Sequence, residues 1–171
     1  KQLNKNKALT FFRRNEKETK EHNMIVDMER NDLSKICKTG SVKIDKLKKV
    51  EEYRDLFHYV TTIKGVIKNK MSNHDIISSL MPGGSVIGCP KISTIQLLNR
   101  KEKFDRNIYT GSFGIIHSNG DMRFNIMIRT LLNFKNDIEL SVASGVILGS
   151  TANKEYNENY IKAKSLLDLF N

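Results

Sequence analysis

Four glutamates occur as two pairs, each with the spacing of one helical turn. Glu18 and Glu21 stand three apart in "EKETKEHNMIVDMERNDLSKI", and Glu155 and Glu158 stand three apart near the end of the chain, with Lys162 four residues further on. Side chains at i and i+3 share a helix face, so each stretch, if helical, offers two carboxylates side by side. Two such helices could hold a hard divalent cation. Mg²⁺ typically takes one or two protein carboxylates and fills its octahedron with water and substrate. Either pair alone is ordinary solvated helix surface, so a cation site needs an independent indication.

Other groups have chemical potential of their own. Arg129 in "NIMIRTL" follows an alternating apolar pattern; it suits either a cleft, with a carboxylate as bidentate partner, or a buried structural ion pair. His58 lies in a strand-like segment, where a satisfied core histidine is the commoner case. The stretch Gly83 to Gly88 lacks the Gly-Lys-[Ser/Thr] ending of a nucleotide loop, which argues against a nucleotide site. Its backbone N–H groups, with a helix N-terminus, could face a carboxylate, and a plain strand-to-helix turn is the alternative. Cys37 and Cys89 match no zinc or redox spacing, which fits a reducing, cytoplasmic setting.

The elements that must position these groups are legible in outline. A helix is expected from about Asn15 to Ile36, ended by Gly40 as a C-cap. "SVKIDKL" and "LFHYVTTIKGVIK" have strand composition, and Asn73 is expected to cap a short helix, "HDIISSLM". Pro90 suits the first turn of "PKISTIQLLNRKEK". "YTGSFGIIHS", "DMRFNIMIRTLLNF" and "DIELSVASGVIL" are expected to form three consecutive antiparallel strands, the first two joined through Asn119-Gly120. A closing helix is expected from about Asn153 to Phe170, with Tyr156, Tyr160, Ala163, Leu167 and Phe170 as its core stripe. Mixed strands and helices without strict alternation indicate the α+β class, an antiparallel β-sheet flanked by helices.

Length and composition bound the function. The 171 residues, 39% hydrophobic and 28% charged, suit one folded domain or a piece of a larger one, and exclude a disordered or collagen-like chain. No apolar run approaches a membrane span, so no membrane partner is expected, and "KQLNKNKALTFFRR" has no secretion-signal core. Opening on Lys1 suggests a start other than the native one. The net charge of +10 would suit a polyanion, but the lysines are scattered, so a solvated basic surface is favoured and no nucleic-acid partner is expected.

Read in order, "EHNMIVDMERNDLSKI", "GSVKI", "LFHYVTTIKG", "MPGGSVIGCPK", "YTGSFGIIHSNGDMRFNIMIRT", "SGVILGS" and "EYNENYIKAKSLL" resemble the C-terminal part of the chorismate-utilising enzymes. That family includes anthranilate synthase component I, the isochorismate and salicylate synthases, and aminodeoxychorismate synthase component I. "MIVDMERNDL", "PGGS" and "YTGSFG" resemble the last of these most. The resemblance implies Mg²⁺-dependent amination of chorismate, with ammonia from a glutamine amidotransferase subunit. It implies Glu21 and Glu158 as direct metal ligands and Glu18 and Glu155 as ligands through water. Tyr109 and Arg129 would bind the enolpyruvyl carboxylate, and Gly145 and Lys162 would complete an anion site. Ser85 would be the hydroxyl of the glycine-rich loop and His58 the catalytic histidine beside the ring. Departures are Ala143, where the family usually has glycine, Ile87-Gly88-Cys89, and the lack of a "PIKGT" motif, whose lysine is the nucleophile. Residues 1–171 are therefore expected to be the C-terminal part of a chorismate-binding catalytic domain whose upstream half is absent, inactive alone.

Overall fold

A computed structural model of the chain describes residues 4–53, 57–135 and 137–170, and the chain divides into two units, Lys1–Ser85 and Val86–Asn171.

In the first unit Asn15 separates two helices. It is the C-cap of α1 (Lys5–Arg14), a helix the sequence patterning did not single out, and the N-cap of α2 (Glu16–Ile36). Its side-chain oxygen accepts from the Glu18 amide at 3.3 Å, and Glu16 and Glu18 put negative charge at the positive end of the helix. Gly40 does not cap α2 as expected. The chain turns extended already at Cys37, whose amide bonds the Leu33 carbonyl at 2.9 Å and which bridges to Ile67; Gly40 serves the following turn at φ +74°.

Strands β1 (Lys43–Glu52) and β2 (Phe57–Lys64) pair antiparallel, with Val50 opposite Tyr59. Leu56, expected to open the second strand, lies outside the described residues. The pairing shifts between Lys46 and Lys49, where Lys48 has φ +49°; the Thr61 hydroxyl fills the gap, accepting from the Lys48 amide at 3.0 Å. The same oxygen lies 2.7 Å from His22 Nε2, within hydrogen-bond distance, which joins the bulge to α2. Burial, then Lys48, holds the His22 pKa down. Tyr59 lies between the Phe12 ring, stacked at 4.9 Å, and the His22 ring at 4.8 Å, which docks α1 and α2 on β2. Among the described residues of this unit, the buried apolar ones are Ala8, Val26, Ile36, Cys37 and Val50. A Cβ on Gly65 would sit 2.7 Å from the Cys37 sulfur, so glycine is required where the chain passes this cysteine. Helix α3 (Asn73–Leu80) is capped by Ser72 rather than Asn73. Ser72 and Asp75 form a reciprocal capping box, and a hydroxyl one position earlier outcompetes the asparagine because Asp75 is there to answer it.

The glycine-rich segment forms a single helical turn, α4 (Gly84–Ile87), not an open loop. In the second unit Pro90 is the N-cap of α5 (Lys91–Lys101). Strands β3 (Ser112–Ile116) and β4 (Met122–Ile126) make the expected hairpin, with Gly120 at φ +89° in its turn. The expected three-strand meander is not continuous: the middle segment breaks at Arg129, which has φ +50°. A separate hairpin follows, β5 (Leu131–Asn133) with β6 (Ile138–Leu140). The described strands therefore form three two-stranded antiparallel sheets among helices, within the α+β class.

The closing helix is α6 (Ala152–Leu167), followed by a 3₁₀ turn at Asp168–Phe170. Its expected core stripe is corrected by the structure. Of the five residues only Ala163 is buried, while Tyr156 is 76% and Tyr160 63% exposed, and the buried polar residue is Glu155. The side bearing Glu155 is the one the 143–144 segment meets, and that contact, not hydropathy, sets which face is covered.

Candidate functional site

The expected site residues divide between the two units. Glu18, Glu21, His58 and Ser85 lie in the first; Tyr109, Arg129, Gly145, Glu155, Glu158 and Lys162 lie in the second.

On α2, Glu18 and Glu21 are both half-buried and less than one turn apart. His58 on β2 is paired with Glu51 and has its ring 5.0 Å from that of Tyr53. Because Tyr59 and Thr61 meet α2, strand alternation turns His58 to the opposite face of the hairpin. Ser85 is half-buried within α4.

In the second unit the fold brings several of the expected residues together. Lys162 Nζ lies 2.7 Å from a Glu158 oxygen and donates to the Ala143 carbonyl at 3.3 Å. The Ser144 hydroxyl donates to the Glu155 carbonyl at 3.3 Å. Two bonds thus tie the irregular 143–144 segment to α6, one through the Glu155 main chain and one through Lys162; Gly145 follows this segment and is exposed. Sequence spacing placed Glu155, Glu158 and Lys162 on one face; the approach of Ala143 and Ser144 required the chain to fold back. Glu155 is only 6% exposed, which makes its carboxylate far more consequential than a surface one.

Tyr109 and Arg129 also share a location. The Thr110 amide bonds the Met127 carbonyl and the Met127 amide bonds the Gly111 carbonyl, each at 2.9 Å, so both residues flank the same end of the β3–β4 hairpin. Arg129 does not sit within a strand as the alternation suggested. It is exposed at the break between β4 and β5, where its left-handed backbone interrupts the alternation. Tyr109 is half-buried, burial pushes its phenol pKa up, and the Arg106 guanidinium lies 6.0 Å from its ring centre. Arg106 escaped the sequence reading; the available signal is Glu102 four residues before it, an acid-to-base spacing just ahead of Tyr109. A groove of about 600 Å³ lies on the same hairpin, lined by Phe113, Ile115, His117, Asp121 and Arg123, and none of the expected site residues borders it.

Each unit offers two carboxylates on one helix, hard oxygen donors of the kind magnesium takes. Within neither unit do the described residues bring three His, Cys, Asp or Glu side chains together. Cys37 is buried and Cys89 exposed, both as free thiols. No described helix is long and apolar enough to cross a membrane.

An α+β chain with an ordered carboxylate and lysine cluster against a turn-rich segment defines a class rather than a protein, and comparison with known proteins supplies the rest. The model of the chorismate binding enzyme family matches residues 1–168, and the chain belongs to that family. It is 38% identical over 153 residues to an anthranilate synthase component I-like protein of Synechocystis sp., covering 90% of this chain and 32% of that protein. It is 37% identical over 149 residues to aminodeoxychorismate synthase component 1 of Bacillus subtilis, covering 87% of this chain and 32% of the relative. Among solved structures, anthranilate synthase component I of Streptococcus pneumoniae superposes with a TM-score of 0.79 at 35% identity, over 92% of this chain and 36% of that one. The chain thus spans about a third of the length of these relatives.

Proposed function

We propose that residues 1–171 are the C-terminal part of the catalytic domain of an aminodeoxychorismate synthase component I. Its reaction exchanges the 4-hydroxyl of chorismate for an amino group derived from ammonia, which a glutamine amidotransferase subunit supplies, in 4-aminobenzoate and folate synthesis. The observation that carries this reading is Lys162 held between the Glu158 carboxylate and the Ala143 carbonyl on the helix that also bears the buried Glu155, because it joins carboxylates and a cation on one element. Glu21 and Glu158 would hold Mg²⁺ directly and Glu18 and Glu155 through water. Bound Mg²⁺ supplies charge neutralisation and orientation at the ring carboxylate. Tyr109 and Arg129 would bind the enolpyruvyl carboxylate, Gly145 would donate an amide to a substrate carboxylate, and Lys162 would add positive charge. His58 would stand beside the ring, and Ser85 would contact substrate from the glycine-rich turn. Residues 1–171 alone are expected to be inactive, because turnover requires the whole constellation preorganised.

The preference for aminodeoxychorismate rests on "MIVDMERNDL", "PGGS" and "YTGSFG". A second reading, anthranilate synthase, is favoured by the Synechocystis and Streptococcus relatives, which bear that name. Incubating the full-length protein with chorismate, ammonia and Mg²⁺ separates them: aminodeoxychorismate without pyruvate is expected, and anthranilate with equimolar pyruvate would reverse the choice. In the same protein Glu158→Gln should abolish Mg²⁺-dependent turnover. It should change stability by less than about 1 kcal/mol, since the Lys162 partner is itself partly solvated.

A further inference from the structure

We propose that Arg106 is a positioning residue for the substrate carboxylate site and acts through Tyr109; the assignment rests on Tyr109 being a substrate contact, as above. Between α5 and β3 the chain from 102 to 111 forms no helix or strand, so Tyr109 owes little to regular structure. One guanidinium ties this stretch together. Arg106 Nε donates to Glu102 Oε2 at 2.8 Å and Nη2 to Glu102 Oε1 at 2.6 Å, a bidentate pair with the C-cap residue of α5. Nη1 donates to the Thr110 hydroxyl at 3.2 Å and to the Val86 carbonyl of α4 at 3.3 Å. The end of the glycine-rich turn, the end of α5 and the start of the β3–β4 hairpin are thereby held by a single side chain.

Tyr109 lies inside this frame. Its amide donates to the Arg106 carbonyl at 2.8 Å, and its own carbonyl accepts from the Thr110 hydroxyl at 2.5 Å. Thr110 is 8% exposed and sits at φ +65°, a region that a β-branched residue seldom enters and that its neighbours must enforce. Removing the guanidinium frees the Thr110 hydroxyl and the backbone on which Tyr109 is mounted. Four of the five N–H donors are already committed, so Arg106 orders the site without being a substrate ligand. Lysine keeps the charge but cannot reproduce the planar fork.

The test is a double-variant cycle in the full-length protein. Arg106→Lys should raise KM for chorismate about tenfold with kcat within about twofold, the mark of a lost uniform-binding contact. Tyr109→Phe should raise KM in the parent but add less than about twofold in the Arg106→Lys background, because the phenol is already misplaced. Independent, multiplying effects, or an unchanged KM in Arg106→Lys, would overturn the proposal. If Tyr109→Phe alone leaves KM unchanged, it is the assignment of Tyr109 as a substrate contact that fails. Hydrogen exchange then decides the role of Arg106. Roughly tenfold faster exchange at the Tyr109 and Thr110 amides in Arg106→Lys, with β1–β2 unaffected, supports it as the anchor of Tyr109, and unaltered exchange overturns it. Should Arg106→Lys fail to fold, Glu102→Gln weakens the bidentate pair and takes its place in both measurements.

Discussion

Glu102 and Arg106 show how a single ion pair on a partly solvated surface becomes consequential when it is bidentate and shared. Hydrogen bonds from Arg106 hold the Glu102 carboxyl pKa below its ordinary 4.5, opposed by burial, and the Arg106 pKa is raised by the same bonds. A lowered folded-state pKa means that the stabilisation is present above the ordinary carboxyl value and is lost as pH falls through the lower folded one. Stability of the chain followed by urea denaturation from about pH 6 to about pH 3 should therefore fall more steeply for the parent than for Glu102→Gln. Equal slopes would show that the pair contributes nothing in solution. Glu158 and Lys162 are as solvated as that pair but meet through a single contact on one helix turn, so their interest is chemical rather than structural.

Among elements, the packing of α2 on the β1–β2 hairpin is the most constrained arrangement in the first unit. The end of α2 and the chain at Val66–Lys68 exchange backbone bonds, Lys38 to Val66 at 2.8 Å and Lys68 to Ile36 at 2.9 Å, which forces Gly65 against the Cys37 sulfur. Gly65→Ala must displace that sulfur and should destabilise the chain by about 1–3 kcal/mol in chemical denaturation. In a Cys37→Ala background the penalty should drop below half, since the colliding atom is gone; an undiminished penalty would place the cause in the backbone instead. α6 is organised differently: its covered side is set by two bonds from the 143–144 segment, and its aromatic side remains open.

At the scale of the molecule, large apolar side chains of the second unit stay open: Phe113 is 70%, Ile161 71% and Val146 78% exposed. At micromolar concentration the isolated chain should bind an apolar fluorescent dye and run larger than a monomer by light scattering. A monodisperse, dye-silent monomer would contradict that.

Much of the architecture was readable along the chain because its causes are local. Asn15 capping α2, the Asn119-Gly120 turn and the one-turn glutamate pairs depend on residues within a few positions of each other. The motif order was likewise sufficient to point to the family. Ser72 displacing Asn73, the break at Arg129, the burial of Glu155 beneath open tyrosines and the Arg106 clasp were not readable. Most depend on contacts between segments well separated along the chain, such as Ser144 with Glu155 or Arg106 with Val86. Hydropathy periodicity records which residues avoid water, not which distant segment arrives to cover them, and only folding makes that second choice.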